Sequence, residues 1–230
     1  MPSQWQPSNP DSSLPNQHTL YLGASGSGKS QVLLQSKAIP ARGARVILFD
    51  HAPDHPGDHY RDPANFVRAV KAGIERHLKT GRGFRIAYAG PREVEDYEWF
   101  CSVVWRCLDG RYITHVIVEE LSAVCSGSGK ASPAAARLLN EGRKYGLRFH
   151  GTSQKPQEIS KTYYDQCDFK VIGRQKTDAQ RRLMHRETGV PVERIHALKP
   201  LQFYVDDGSA DDAKLITLTF KKPTGIRWGD

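Results

Sequence analysis

The sequence Gly23-Ala24-Ser25-Gly26-Ser27-Gly28-Lys29-Ser30 decides the fold of this 230-residue chain. It follows the apolar run Leu20-Tyr21-Leu22 and leads into Gln31-Val32-Leu33-Leu34, which predicts a strand, a glycine-rich loop and a helix in that order. The spacing G-x-x-x-x-G-K-[ST] is that of a phosphate loop. Glycines let such a loop turn tightly, so that successive backbone N–H groups point at oxyanions.

The residue types of the loop also predict how a nucleoside triphosphate is bound. Lys29 is expected to reach the β and γ phosphates, and the hydroxyl of Ser30 is placed to ligate Mg²⁺. The expected cofactors are therefore ATP and Mg²⁺. The predicted nucleotide-binding residues are Gly23, Ala24, Ser25, Gly26, Ser27, Gly28, Lys29, Ser30 and Gln31.

Short apolar runs alternate with helical patterns along the rest of the chain, which predicts a three-layer α/β fold. Its mostly parallel central sheet is covered by helices on both sides. The predicted strands are His18–Leu22, Arg45–Phe49, Phe84–Tyr88, Thr114–Val118, Arg148–Thr152 and Phe169–Ile172, followed by a β-hairpin at the sheet edge from Gln202–Val205 and Leu215–Phe220. The predicted helices are Lys29–Lys37, Ala64–Leu78, Val94–Leu108, Pro133–Tyr145 and Asp178–Thr188.

Composition predicts how the chain is divided. Residues 1–17 are rich in Pro, Ser, Asn and Gln and read as a flexible N-terminal arm, 18–222 as one domain, and 223–230 as an unstructured tail. The net charge of +8 favours an anionic partner, with nucleic acid ahead of membrane. No apolar run approaches the ~18 residues of a transmembrane helix, so we expect no transmembrane segment.

Acidic residues follow the predicted strand Thr114–Val118, at the end where ligands of parallel sheets bind. Glu119 is expected to hold Mg²⁺, and the adjacent Glu120 is expected to polarise the water that attacks the γ phosphate. The alternative is that both glutamates merely begin a helix, where negative charge suits the helix dipole.

Further candidates follow other predicted strands, and Arg143 lies at the end of the helix before the strand Arg148–Thr152. Gln154 can hold the attacking water and the γ phosphate. Arg143 is either a cation that suits a helix end or an arginine finger acting on a neighbouring subunit, and Arg174 competes for that role. Asp50 can touch Mg²⁺-bound water or cap a turn.

The segment Ser126-Gly127-Ser128-Gly129-Lys130-Ala131 looks like a second phosphate loop but lacks two of its features. Position 124 is Val instead of Gly, and Ala131 has no hydroxyl for Mg²⁺. We interpret it as a mobile loop in which Lys130 either contacts DNA phosphates or is simply solvated.

These motifs together resemble the HerA/FtsK superfamily of P-loop ATPases. The resemblance rests on the phosphate loop, the acids, the segment Gly142-Arg143-x-x-Gly146 and the strand ending Thr152-Ser153-Gln154-Lys155-Pro156, which is similar to the TQRP-like sensor of that group. It covers about residues 18 to 220. Short length and basic charge are most similar to viral genome-packaging ATPases of the tectivirus type.

The resemblance implies a RecA-like fold of the ASCE class and an ATPase that translocates double-stranded DNA into a preformed capsid. It implies a homo-oligomeric ring, hexameric in this superfamily, with ATP sites between subunits and capsid or portal-vertex proteins as partners. It also implies a location in the host cytoplasm and at the packaging vertex of the virion. The catalytic positions carried over are Lys29, Glu120, Gln154 and Arg143.

Two other functions stay open from the sequence. A small-molecule phosphotransferase of the nucleotide-kinase type has a similar length, but it has little use for Glu120 together with Gln154. An ATP-dependent assembly protein like those of filamentous phages usually carries a membrane span, which we do not expect here.

Overall fold

The structure is a computed structural model that describes residues 6–125, 127–209 and 212–229. Its strands are β1 (Thr19–Leu22), β2 (Arg45–Phe49), β3 (Gly57–Tyr60), β4 (Phe84–Tyr88), β5 (Thr114–Val118), β6 (Leu147–Ser153), β7 (Phe169–Ile172), β8 (Gln202–Asp206), β9 (Lys214–Thr217) and β10 (Ile226–Trp228). Its helices are α1 (Lys29–Leu34), α2 (Pro63–Thr80), α3 (Val94–Cys107), α4 (Pro133–Glu141), α5 (Lys161–Gln166), α6 (Asp178–Thr188) and α7 (Val192–His196). Short 3₁₀ turns cover Leu121–Ala123, Gly142–Tyr145 and Pro156–Glu158.

One sheet organises all the strands, in the order β10-β3-β4-β2-β5-β6-β1-β7-β8-β9. Pairing is parallel from β10 to β7 and antiparallel from β7 through β8 to β9. The predicted edge hairpin is therefore confirmed as β8 and β9. Strand β6 lies between β1, which precedes the phosphate loop, and β5, which precedes the acids. The carboxyl ends of these three parallel strands therefore lie side by side at one end of the sheet.

The two faces of the sheet are packed unequally. Alternate strand residues such as Leu22, Phe49 and Val118 face the larger cluster, which includes aromatic residues of α2 and α3. Their neighbours Tyr21, Leu48 and Ile117 face the smaller cluster beneath α1. This alternation follows from the two-residue period of a strand and produces the predicted three layers.

Cap residues explain where two longer helices begin and end. The Asp62 side chain accepts a hydrogen bond from the Asn65 backbone amide at 2.8 Å at the start of α2, and Gly81 caps its C-terminal end. Thr177 and Gln180 form a reciprocal capping box at the start of α6. These caps satisfy backbone groups that the helices leave unpaired.

Several elements differ from the predictions. Helix α1 ends at Leu34, because the chain then turns away at Gln35. Strand β3, with the sequence Gly-Asp-His-Tyr, was missed since its buried residue His59 is polar and gives no apolar run. Helices α5 and α7 were missed as well, because each has only about one and a half turns in which to show a period.

The chain termini are more ordered than the sequence indicated. In the predicted arm, Asn9 donates to the Asp109 carbonyl at 2.9 Å, the Asp11 amide to Lys144 at 2.7 Å, and Asn16 to Gln166 at 2.8 Å. Residues 1–5 of that arm lie outside the described residues. In the predicted tail, Ile226–Trp228 form β10, because the free edge of β3 supplies hydrogen-bond partners.

Residues 218–225, here called the C-terminal strap, connect β9 at one sheet edge to β10 at the other. The strap passes over α1, where the Gln31 side chain donates to the Lys221 carbonyl at 2.9 Å and accepts from the Lys221 amide at 2.7 Å. Gln35 adds a hydrogen bond to the Thr219 carbonyl at 3.0 Å. The helix that follows the phosphate loop is therefore held from outside.

Candidate active site

The phosphate loop adopts a conformation that requires glycine at two positions. Gly26 and Gly28 have φ of 73° and 98°, in the left-handed region that L side chains rarely adopt. A Cβ at Gly28 would also lie 2.7 Å from the Leu201 side chain. The Leu201 amide donates to the Ser27 carbonyl at 2.9 Å, so the loop is fixed against the segment before β8.

Lys29 is the cation of the loop and is only 8% exposed. Its ammonium group donates to the carbonyls of Gly23 at 2.8 Å and Ala24 at 3.4 Å, so the side chain folds back over the loop. Burial lowers the pKa of Lys29, while the nearby carboxylates of Glu120, Glu119 and Asp54 act in the opposite direction. The structure thus brings the loop lysine and the acids of the neighbouring strand end into one electrostatic environment.

Thr152 of β6 joins the two acids that follow β5. Its hydroxyl donates to the Glu119 carboxylate at 2.5 Å and accepts from the Glu120 amide at 3.1 Å. Both contacts depend on β5 and β6 being neighbours in parallel register. The glutamates consequently sit on a rigid strand end and do not form the start of an α-helix.

Glu120 has a backbone conformation that is costly for a residue with a side chain, at φ 56° and ψ 66°. Such residues concentrate at functional sites, because only surrounding contacts can hold them in place. Here one carboxylate oxygen accepts from the Ser122 hydroxyl at 2.6 Å, the Ser153 hydroxyl at 3.0 Å and the backbone N–H of Gln154 at 3.0 Å. The backbone of Gln154 therefore lies beside the Glu120 carboxylate.

His55 and its loop were missed by the sequence analysis. The buried imidazole of His55 hydrogen-bonds the Glu119 carboxylate. Burial alone would lower the pKa of His55, but this hydrogen bond and the carboxylates of Glu119, Asp50 and Asp54 outweigh it and raise that pKa. For Glu119, burial raises the pKa, whereas the hydrogen bonds from His55 and Thr152 together lower it below the usual value, which keeps the carboxylate ionised.

Asp50 holds this loop in shape. Its carboxylate accepts from the amides of Asp54, at 3.2 and 3.1 Å, and His55, at 3.0 Å, and it pairs with the His59 imidazole at 3.0 Å. Of the two roles open for Asp50, the structure shows the turn cap. Burial and the charges of Glu119 and Asp50 raise the pKa of Asp54, which adds a third acid near Lys29.

A magnesium ion fits this donor set. Among the described residues, no group of three His, Cys, Asp or Glu side chains could hold a metal ion without other ligands. Mg²⁺ does not need such a cage, because it typically takes one or two protein ligands together with substrate phosphates and water. The ionised Glu119 carboxylate and the Ser30 hydroxyl, in the first turn of α1, are donors of the required kind.

Among the described residues, three predicted site residues have no side-chain hydrogen bond to the acids. The Gln31 side chain holds the C-terminal strap, so only its backbone remains for a nucleotide. Arg143 precedes β6, at the amino ends of the strands and so at the end of the sheet opposite the acids. Its guanidinium donates to the carbonyls of Ser12, at 3.1 Å, and Leu14. Lys130 is exposed in a loop that is tied to α5 through Ser160, whose hydroxyl donates to the Gly129 carbonyl at 2.6 Å. Ser126 of that loop lies outside the described residues.

A cavity of about 590 Å³ adjoins the phosphate loop on the side away from the acids. It is bounded by Ala24 and Ser25 of the loop and by Arg174, Arg181 and Leu198. The Ala24 amide donates to the Arg174 carbonyl at 2.8 Å, so the cavity opens directly from the loop. Its mixed apolar and cationic lining suits a nucleoside.

The chain is 36% identical to protein P9 of Pseudoalteromonas phage PM2 over 217 residues, which cover 92% of this chain and 94% of P9. The chain belongs to the P9 family. No family model matches the sequence.

Solved structures show the fold of this member of the P9 family. The genome packaging NTPase B204 of Sulfolobus turreted icosahedral virus 2, in complex with AMPPCP, superposes with a TM-score of 0.70 at 16% identity, covering 90% of this chain and all (100%) of B204. The bacterial conjugative coupling protein TrwB gives a TM-score of 0.59 at 12% identity, covering 98% and 90%. The predicted likeness to viral packaging ATPases of the P-loop class is therefore confirmed for the fold.

Proposed function

We propose that this protein is the ATPase that drives a double-stranded viral DNA genome into a preformed capsid. One observation carries the proposal: the phosphate loop, the two acids linked by Thr152, and Gln154 all lie at the carboxyl ends of neighbouring strands. Supporting it are the relationship to a phage protein and a fold similar to that of a genome packaging NTPase.

Each residue of this edge takes one role in ATP hydrolysis. The N–H groups of the phosphate loop and the Lys29 ammonium bind the phosphates and neutralise their charge. Ser30 and Glu119 would hold Mg²⁺, which supplies further charge neutralisation when bound. Glu120 accepts a proton from the attacking water, and Gln154 orients that water.

The motor assembly extends this proposal beyond one chain. We place the protein in a homo-oligomeric ring, a hexamer by the resemblance of its motifs, with Arg143 or Arg174 reaching the ATP of a neighbouring subunit. Lys130 would contact the DNA backbone. A ring of this kind works in the host cytoplasm and at the packaging vertex, together with capsid or portal proteins. Within the described residues, no helix is long and apolar enough to span a membrane.

The test is the ATPase rate with and without duplex DNA, on material whose assembly state is known. We expect phosphate release that duplex DNA accelerates and that needs no nucleoside acceptor. Transfer of the γ phosphate to an added nucleoside monophosphate would instead indicate a nucleotide kinase. ATP binding without turnover, in the presence of DNA, would favour a non-enzymatic assembly protein. Either result would overturn the proposal.

A further inference from the structure

A cationic cavity lies at the amino ends of the strands, at the end of the sheet opposite the acids. It is a cavity of about 480 Å³ at the amino ends of β2, β3 and β4. Five arginines and one acid line it: Arg42, Arg76, Arg82, Arg85, Arg227 and Asp58. We call this cavity the arginine pocket. Because the phosphate loop follows the carboxyl end of β1, the arginine pocket is separate from the candidate ATP site.

The charge of the arginine pocket is largely unbalanced. Asp58 is engaged by Arg227, whose guanidinium donates to its carboxylate at 2.6 Å. Within the part of the chain that the structure describes, Arg42, Arg76, Arg82 and Arg85 form no ion pair with a carboxylate. Four unpaired guanidiniums in one concavity repel one another, so an anionic occupant is favourable.

Arg85 gives the pocket a fixed floor. Its Nε donates to the Pro56 carbonyl at 3.0 Å, and its side chain is half-buried on β4. Burial of this side chain lowers the pKa of Arg85. Arginine keeps its charge under these conditions, so an oxyanion that reaches it supplies the missing stabilisation.

The chemistry of the lining selects phosphate. The guanidinium fork matches the oxygens of a phosphate, and one small anion cannot satisfy guanidiniums spread around 480 Å³. A phosphodiester backbone offers several phosphates in a row. Gly43, Gly57, Gly83 and Gly225 also line the pocket, so bare backbone leaves room for such a chain.

We infer that the arginine pocket binds the phosphate backbone of duplex DNA, as a contact surface distinct from the loop that carries Lys130. The inference rests on the proposed function, since it takes DNA as the partner. Lys130 lies beyond the carboxyl end of β5, so the two surfaces lie at opposite ends of the strands. Contacts of this kind are independent of base sequence.

The experiment measures binding of a fluorescent 30-base-pair duplex to the full chain, without nucleotide, from 50 to 200 mM salt. The test variant is Arg42→Ala/Arg82→Ala, because both side chains are exposed and do not touch the core. The matched control is Arg182→Ala/Arg186→Ala, which removes the same charge from the exposed face of α6.

Each phosphate contact contributes about 0.9 to the slope of log K against log salt. Loss of two contacts should make the slope shallower by about 1.8 and weaken binding at 50 mM salt by about tenfold or more. The control should keep the wild-type slope. ATP turnover without DNA should be unchanged in both variants, because neither pair of residues lies in the candidate active site.

The outcomes separate this inference from the proposed function. If duplex DNA stimulates the wild-type ATPase but Arg42→Ala/Arg82→Ala retains the wild-type slope, only the arginine pocket is wrong. If the wild-type protein does not bind duplex DNA, the proposed function fails and the inference fails with it. If the test variant loses binding of polyglutamate while DNA binding is intact, the pocket serves an acidic protein instead and the inference is overturned.

Discussion

Replacing Gln31 by alanine tests whether the side chain after Ser30 serves the nucleotide or the C-terminal strap. The motif predicts a nucleotide-binding position, but in the structure the Gln31 amide makes two hydrogen bonds to the Lys221 backbone, at 2.9 and 2.7 Å. Gln31 is 5% exposed, whereas Lys221 of the strap is exposed.

The Gln31 side chain also accepts a hydrogen bond from the Gln35 side chain at 3.2 Å. Each of these three bonds contributes about 0.5–1.5 kcal/mol to stability, so their loss costs about 1.5–4.5 kcal/mol. Lys221 is exposed, so water can replace part of the lost hydrogen bonding. We therefore expect the free energy of unfolding to fall by about 2 kcal/mol. For a domain of this size, that corresponds to a fall in Tm of about 4–8 °C. Thermal unfolding followed by circular dichroism, without nucleotide, measures it.

Binding of ATP provides the second readout. The backbone N–H of residue 31 is retained in Gln31→Ala, so we expect the Kd for ATP to change by less than about twofold, which is under 0.5 kcal/mol. The variant Gln31→Glu keeps the acceptor for the Lys221 amide but places a carboxylate oxygen against the Lys221 carbonyl, so its Tm should fall by at least as much as that of Gln31→Ala. An unchanged Tm combined with weakened ATP binding would refute the reasoning and restore the motif-based role.

Three more predictions concern the candidate active site. Glu120→Gln should bind ATP normally but lose turnover by about 10²- to 10⁴-fold, because the amide cannot take a proton from water; wild-type phosphate release would reject the assignment. His55→Ala should weaken Mg²⁺-dependent nucleotide binding by about 10- to 100-fold, because the Glu119 carboxylate loses the hydrogen bond that orients it. His55→Gln should restore part of this binding. Equal Mg²⁺ titrations for the wild type and both variants would contradict the prediction. Mixing Arg143→Ala subunits with Lys29→Ala subunits should restore some ATPase activity if Arg143 acts across an interface, and no recovery in verified assemblies would count against that role.

Local pattern was enough to predict much of the fold. The phosphate loop is a contiguous motif, and the buried strands β2, β4 and β5 are short apolar runs, so both are readable from neighbouring residues alone. The same reasoning failed at β3, whose buried residue His59 is polar and is stabilised by Asp50, nine positions earlier in the chain. It failed at β10 because the pairing partner of a three-residue strand is not written in its own sequence.

The candidate site likewise contains residues that local sequence predicts and residues that it does not. Spacing predicted Lys29, Glu119, Glu120 and Gln154 as site residues, because each follows a strand whose carboxyl end lies at the same end of the sheet. It could not identify His55, since the contact with Glu119 joins residues 64 positions apart. Nor could it show that Arg143 binds the N-terminal segment instead of facing the phosphate loop of its own chain.

The amino-acid sequence by itself determined the phosphate loop, the alternation of strands and helices, and the positions of the acids directly after β5. These depend on covalent spacing and on the periods of helix and strand, which are local properties. The tertiary structure alone decided that Thr152 bridges the acids, that the strap holds Gln31 and that five arginines gather at the far edge. Strand order and register bring such residues together, and those arise from packing of the whole chain.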